Sequence, residues 1–169
     1  MFNIISRTKA MYLVMLTITA TRMAYACDRE KCYKAPSDMA CTIEVELFDL
    51  TNEFREKNGV PPLIWSKELG FAAREWADYQ TALGSRSHRG FPYIRLKALK
   101  NEFPNANYNI KGENVAKIER CRRAKSQCIF ESWKDDPGYT ANLLNRDYKH
   151  VGIGVADWGG LYSTQLFSY

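Results

Sequence analysis

The chain has no Gly-x-Ser-x-Gly elbow, no Walker loop, no His-Glu-x-x-His pair and no dinucleotide-binding glycine fingerprint. The sequence signatures of the α/β-hydrolases, P-loop nucleotide enzymes, zinc proteases and Rossmann oxidoreductases are therefore missing. Histidine is scarce, with only His88 and His150 among 169 residues. Charge of one sign does not dominate either: apart from a short basic run at residues 120–125, Lys and Arg are scattered among Asp and Glu. Such a distribution reads as a solvated face, not a nucleic-acid footprint. Internal repeats and low-complexity tracts are lacking, and the apolar run at residues 11–20 is too short to cross a bilayer.

That short run is informative in its own right. Arg7 and Lys9 precede it, and Ala24-Tyr25-Ala26 follows, just before Cys27. A basic start, an apolar centre and a small-x-small end are the three parts of a secretory leader, so residues 1–26 are expected to be removed. A short uncleaved anchor fits less well because of Arg22, and a lipidated Cys27 less well because Tyr25 is bulky. Cleavage takes away three cations and no acid, which lowers the formal charge from +5 to +2.

All five cysteines, at 27, 32, 41, 121 and 128, lie beyond the expected cleavage point. In an oxidising compartment they read as two disulfides plus one spare. Residues seven apart on a continuous helix lie about 10 Å apart along its axis, beyond disulfide reach. The favoured Cys121–Cys128 pair thus requires a bend between its members. A second bridge is expected among Cys27, Cys32 and Cys41, leaving a thiol that is free or links two chains.

Residues 27–41 read as a polar, cysteine-bearing arm. A helix is expected from about Thr42, where Ile43, Leu47, Leu50 and Phe54 make one apolar stripe that Asn58-Gly59 and Pro61-Pro62 terminate. A second helix has Ser66 as N-cap, a face of Leu69, Ala72, Ala73, Trp76, Tyr79 and Leu83, and Gly84 as its stop. Residues 85–114 are irregular, with a short helix expected over 94–101, and stretches of this kind are commonly functional. A strand at 115–118, a helix over 123–134 and a helical turn from Pro137 to Leu144 come next. Residues 151–157 and 161–168 form a terminal hairpin around Trp158-Gly159-Gly160. Helices followed by a hairpin indicate an α+β domain.

Several of these stretches, taken in order, resemble one family. They are Asn52–Arg55, Gly59–Trp65, Leu69, Ala72-Ala73, Trp76-Ala77, Ser87-His88, Gly112–Ala116, Trp133, Asn142–Leu144, Val151–Gly154 and Tyr162–Gln165. The resemblance is to the CAP superfamily (cysteine-rich secretory, antigen 5 and pathogenesis-related 1 proteins), in its compact bacterial-type branch. It implies that residues 42–169 form one CAP (SCP) domain, a three-layer α-β-α sandwich around a central antiparallel sheet, with a cleft beside residues 85–114.

Many family members place two histidines and two acids in that cleft, sometimes around a divalent metal. By position, His88 matches the first histidine, Glu113 one acid and Asp136 the other. The second histidine has no counterpart, because Tyr139 stands thirteen residues before Gly152. A phenol with an ordinary pKa near 10 is a poor zinc ligand but a good hydrogen-bond donor. No cofactor is therefore expected, zinc at His88 being the alternative, and His88 is read first as a cleft histidine bonded to Glu113. His150 is expected to be exposed.

The resulting expectation is a secreted binding or effector module with an extracellular partner or a small apolar ligand, such as a lipid or sterol. Phe91, Tyr93, Phe103 and Tyr108 crowd the irregular region and either serve such a ligand or close the core beneath a long loop. The rival is a metal-assisted hydrolase using His88, Glu113 and Asp136, with Tyr139 as an electrophilic donor.

Overall fold

Helix α1 spans Asp38–Lys57 and starts four residues before the position expected from the apolar stripe. Ser37 accounts for the difference: its hydroxyl accepts from the Ala40 N–H at 3.0 Å, and Asp38 places a negative charge in the first turn, both of which favour initiation. The structure is a computed structural model that describes residues 31–169, so the leader and Cys27 lie outside the described residues. The described part of the arm, residues 31–37, forms turns, and Cys32 and Cys41 are bridged with their Cα atoms 5.2 Å apart.

The chain continues through β1 (Ile64–Trp65), α2 (Lys67–Leu83), α3 (Tyr93–Glu102), β2 (Ile110–Ile118), α4 (Lys125–Lys134), α5 (Pro137–Leu143), β3 (His150–Ala156) and β4 (Leu161–Ser168). Ser66 caps α2 by accepting from the Leu69 N–H at 3.1 Å, and Gly84 ends it at φ 72°, a left-handed conformation that costs glycine little. The Cys121–Cys128 bridge forms with Cα atoms 6.2 Å apart. It can do so because α4 begins only at Lys125, leaving Cys121 in the bend ahead of it.

The four strands lie in the order β1-β3-β4-β2. The expected sheet was antiparallel throughout; the observed one is mixed. Pairing is antiparallel for β3 with β4 and β4 with β2, while β1 runs parallel to β3 through Ile64↔His150 and Trp65↔Val151. Proline at 61 and 62 cannot donate to a ladder, so this edge strand is confined to the two residues after Leu63.

Side chains alternate across the sheet as strand geometry requires. Val151, Ile153, Val155 and Phe167 join Ile43, Leu47, Ile129, Trp133 and Leu143 in one core beneath α1, α4 and α5. On the other face, Leu166 and Ile110 pack with Leu69, Ala72, Ala73 and Leu99 of α2 and α3. Because β1 is so short, among the described residues no strand pairs with the outer edge of β3 beyond Val151, and Glu44 of α1 covers it. Its carboxylate accepts the Val155 N–H at 3.0 Å and is gripped by both Nε and Nη2 of Arg74 from α2. Burial pushes the Glu44 carboxyl up to about 7, against the downward pull of Arg74 and the Val155 N–H. The Arg74 guanidinium also donates to the carbonyls of Lys31 and Tyr33, tying the arm to α2.

Candidate functional site

The candidate site lies where the segment after α2, helix α3, strand β2 and helix α5 meet. Glu113 sits on β2 with its side chain 1% exposed, a burial that a lone carboxylate would not tolerate. Arg95 of α3 resolves this. Its Nε and Nη2 donate to the two Glu113 oxygens at 2.6 and 2.8 Å, a bidentate pair. Its Nη1 donates to the Arg89 carbonyl at 2.8 Å, and its guanidinium lies over the Trp76 ring, 3.2 Å from the centroid. Burial lowers the Arg95 pKa while Glu113 raises it.

Glu113 carries a second partner. Its Oε1 lies 2.7 Å from Nδ1 of His88, whose Nε2 lies 2.9 Å from the Tyr139 hydroxyl. A carboxylate only accepts, so Nδ1 carries the proton, and in the neutral ring Nε2 accepts from the phenol. Arg95, Glu113, His88 and Tyr139 thus form one chain of hydrogen bonds from the interior to the cleft surface, where His88 is half exposed. Burial raises the Tyr139 pKa, and the nearby charges of Asp136 and Glu113 add to that rise while Arg86 opposes it. The phenol therefore stays protonated at neutral pH.

Asp136 is differently employed. Its Oδ1 accepts from the N–H groups of Gly138 and Tyr139 at 2.9 and 3.1 Å, capping α5 and so placing Tyr139. Asp136→Ala is expected to cost about 1 kcal/mol, as a lost N-cap does, and to loosen the Tyr139 phenol from His88. Urea unfolding would check the first effect, and the NMR shift of the His88 ring the second.

Asn114 and Asn142 complete the floor. Asn142 Nδ2 donates to Asn114 Oδ1 at 2.9 Å, and Asn114 Nδ2 donates to the side-chain oxygen of Gln165 at 3.1 Å. His150, expected at the surface, is half buried, with its ring edge-on to Tyr108. Of the four crowded aromatics, Phe91 and Tyr108 pack against the α2/α3 core and Phe103 against Tyr33 and Phe71. Tyr93 alone is open, at 72% exposed.

A zinc site needs three or four free donors converging on one point. Here both Glu113 oxygens face Arg95, both His88 nitrogens face a partner, and Asp136 is a helix cap. Among the described residues no group of three or more His, Cys, Asp or Glu is arranged to hold an ion. These residues do not fit zinc.

The sequence by itself does not single out Arg95. In a lone sequence Arg95 resembles any solvated cation on a helix, and nothing in its spacing marks its return to the cleft.

The fold and site together define an α+β domain whose cleft is braced by a buried Arg–Glu pair presenting one histidine. The chain belongs to the cysteine-rich secretory protein family, whose model matches residues 48–167. It is 26% identical over 136 residues to YkwD of Bacillus subtilis, covering 78% of this chain and 49% of that protein. It is 30% identical over 114 residues to the Bacillus subtilis membrane protein YlbC, covering 68% of this chain and 32% of that one. The chain thus spans about a third to about a half of the length of the curated relatives it matches. Its fold is similar to that of an extracellular SCP-domain protein from Bacillus anthracis, with TM-score 0.66, 24% identity, and 79% and 43% of the two chains covered. It is also similar to an outer surface protein of Borrelia burgdorferi, with TM-score 0.61, 19% identity, and 75% and 91% covered. Among the described residues no helix is long and apolar enough to cross a membrane.

Proposed function

We propose that this protein is a secreted, extracellular binding module that holds a small amphipathic ligand in an apolar groove beside its cleft without turning it over. The observation that carries the reading is the closure of the cleft's hydrogen bonds on themselves. Glu113 is held by Arg95, His88 by Glu113, and the Tyr139 phenol by His88, so each of these side chains already has a protein partner. What remains available is shape. Beside Arg95, α2 and α3 enclose a groove of about 380 Å³ lined by Ala72, Trp76, Tyr79, Ile94 and Ala98, with Arg89 and Glu75 at its polar margin. That volume and lining suit the apolar body of a lipid-sized molecule with a polar head. The extracellular and outer-surface descriptions of the Bacillus anthracis and Borrelia proteins support secretion.

The test is saturable uptake of a fluorescent fatty acid by the oxidised protein without residues 1–26. Ile94→Asp, which puts a charge on the groove wall, is expected to weaken uptake at least tenfold. Absence of saturation would sink the ligand-carrier reading. In parallel calorimetry the wild type is expected to take up no stoichiometric zinc; one-to-one binding that disappears in His88→Ala would restore the hydrolase.

A further inference from the structure

The basic run at residues 120–125 has no part in the cleft or the groove. It connects β2 to α4, and Arg120, Arg122, Arg123, Ala124 and Lys125 are all exposed. Exposure alone would not single it out, because cations stand open elsewhere; the backbone does. Arg86 and Arg89 lie in a segment that is tied down repeatedly. The Ser87 carbonyl accepts from Trp76, the Ser87 N–H donates to Gln80, and the Arg89 carbonyl accepts from Arg95. The loop that holds Arg146 is fixed by Arg55, which donates to the carbonyls of Leu143, Asn145 and Tyr148. In the arm, Arg74 holds the Lys31 and Tyr33 carbonyls.

Arg120, Cys121, Arg122 and Arg123, by contrast, make no backbone–backbone hydrogen bond among the described residues. The Cys121 sulfur lies 3.2 Å from the Arg123 carbonyl but, being bridged, has no proton to donate. Local opening is easiest where backbone bonds are few, and cleavage follows the population of the open form. Two further features favour a nick here. Ala124 has φ −58° and ψ 137°, an extended conformation of the kind a protease cleft takes up. Helix α4 then starts without a side-chain cap, so its first turn is free to loosen and lengthen the accessible stretch. Arg123 is paired with Glu131, whereas Arg122 has no ion pair among the described residues.

We infer that the Arg122–Arg123 bond is a processing site for a trypsin-type serine protease, whose aspartate-bearing S1 pocket takes the unpaired Arg122 side chain, and that the product is a folded two-chain protein. Water adds across the peptide bond, leaving a carboxylate on Arg122 and an ammonium on Arg123. Because that bond lies between Cys121 and Cys128, the bridge joins the two new ends. Topology holds the rest together. The first chain carries α1, β1, α2, α3 and β2, and the second carries α4, α5, β3 and β4. The order β1-β3-β4-β2 sets the second chain's strands between those of the first. Parting them would break the β1–β3 and β4–β2 ladders and strip the Val155 N–H from Glu44. The site is separate from the α2/α3 groove, so failure of either proposal leaves the other standing.

The experiment is limited digestion of the oxidised protein with trypsin, the products being mapped by mass spectrometry and run on denaturing gels with and without reductant. The first cut within residues 31–169 is expected after Arg122. The nicked protein should give one band without reductant and two with it, and should elute from gel filtration at the volume of the intact domain. R122Q/R123Q is expected to lose the cut, and Arg120→Gln to keep it. These side chains are exposed, and unchanged thermal unfolding of each variant would show that the fold survives. Four outcomes would each overturn the assignment: a first cut elsewhere in residues 31–169, wild-type resistance under conditions that digest the reduced and urea-unfolded chain, wild-type cleavage of R122Q/R123Q, or fragments that separate without reductant.

Discussion

Gly154→Ala is expected to remove most of the protein's stability, and Gly152→Ala to do nearly as much. A β-carbon at Gly154 would lie 2.1 Å from the Arg74 nitrogen and 2.3 Å from the Ala73 carbonyl carbon; one at Gly152 would lie 2.1 Å from the Gly70 nitrogen. These are backbone atoms of α2, so no rotamer change can make room. Overpacking a core where side chains can yield costs about 1–3 kcal/mol. Here a whole helix must move away from β3, and Arg74 would be drawn off the Glu44 carboxylate it holds, against a total stability of about 5–15 kcal/mol for a domain. Gly84→Ala is the control: its φ of 72° is unfavourable for alanine, but nothing lies within 4 Å, so a loss of about 1 kcal/mol is expected. Urea unfolding of the three variants would separate close approach from backbone strain. A wild-type midpoint for Gly154→Ala would show that α2 and β3 are not in backbone contact.

Breaking the buried pair under the cleft should be almost as costly. Arg95→Met leaves the Glu113 carboxylate in the interior with only a half-exposed histidine beside it, and loss of one partner of a buried ion pair typically costs about 3–5 kcal/mol. Adding Glu113→Gln removes the stranded charge, so R95M/E113Q is expected to recover part of the loss, a non-additivity that a double-mutant cycle would read directly. The cycle has a second readout. In R95M/E113Q the anion facing Nδ1 of His88 is gone, so the His88 ring shifts observed by NMR should move while those of His150 stay in place. Strict additivity would mean that Arg95 supports the fold through Trp76 alone, and that the cleft histidine is held by something other than this pair.

The two pairs show the limits of reading the chain by itself. Glu44 and Arg74 are thirty residues apart and Arg95 and Glu113 eighteen. In a linear sequence each looks like an ordinary surface charge, because long-range pairing leaves no periodicity. In the linear sequence strand β2 is similarly foreshortened to residues 115–118, since Gly112-Glu113-Asn114 is polar and reads as loop. It is strand because Glu113 finds Arg95, and Asn114 finds Gln165 and Asn142, as the sheet forms. Asp136 is assigned to the cleft by its position in the family pattern, and its Oδ1 also caps α5, a role that only the folded chain shows.

Local chemistry was legible wherever it acts over a few residues. Ser66 and Gly84 delimit α2, Trp158-Gly159-Gly160 turns the hairpin, and Cys121 pairs with Cys128 across a bend. Each depends on capping, left-handed backbone or short-range loop closure, which neighbouring residues decide among themselves. The stripe of Ile43 and Leu47 likewise identified the buried face of α1. Packing alone decided that β1 would join the sheet in parallel, that Glu44 would shield the edge of β3, and that His88 would be wired through Glu113 to Arg95. Those outcomes depend on which distant groups remain unsatisfied once the helices settle on the sheet. Burial makes an unpaired charge or N–H so costly that the fold supplies a partner from wherever in the chain one can reach.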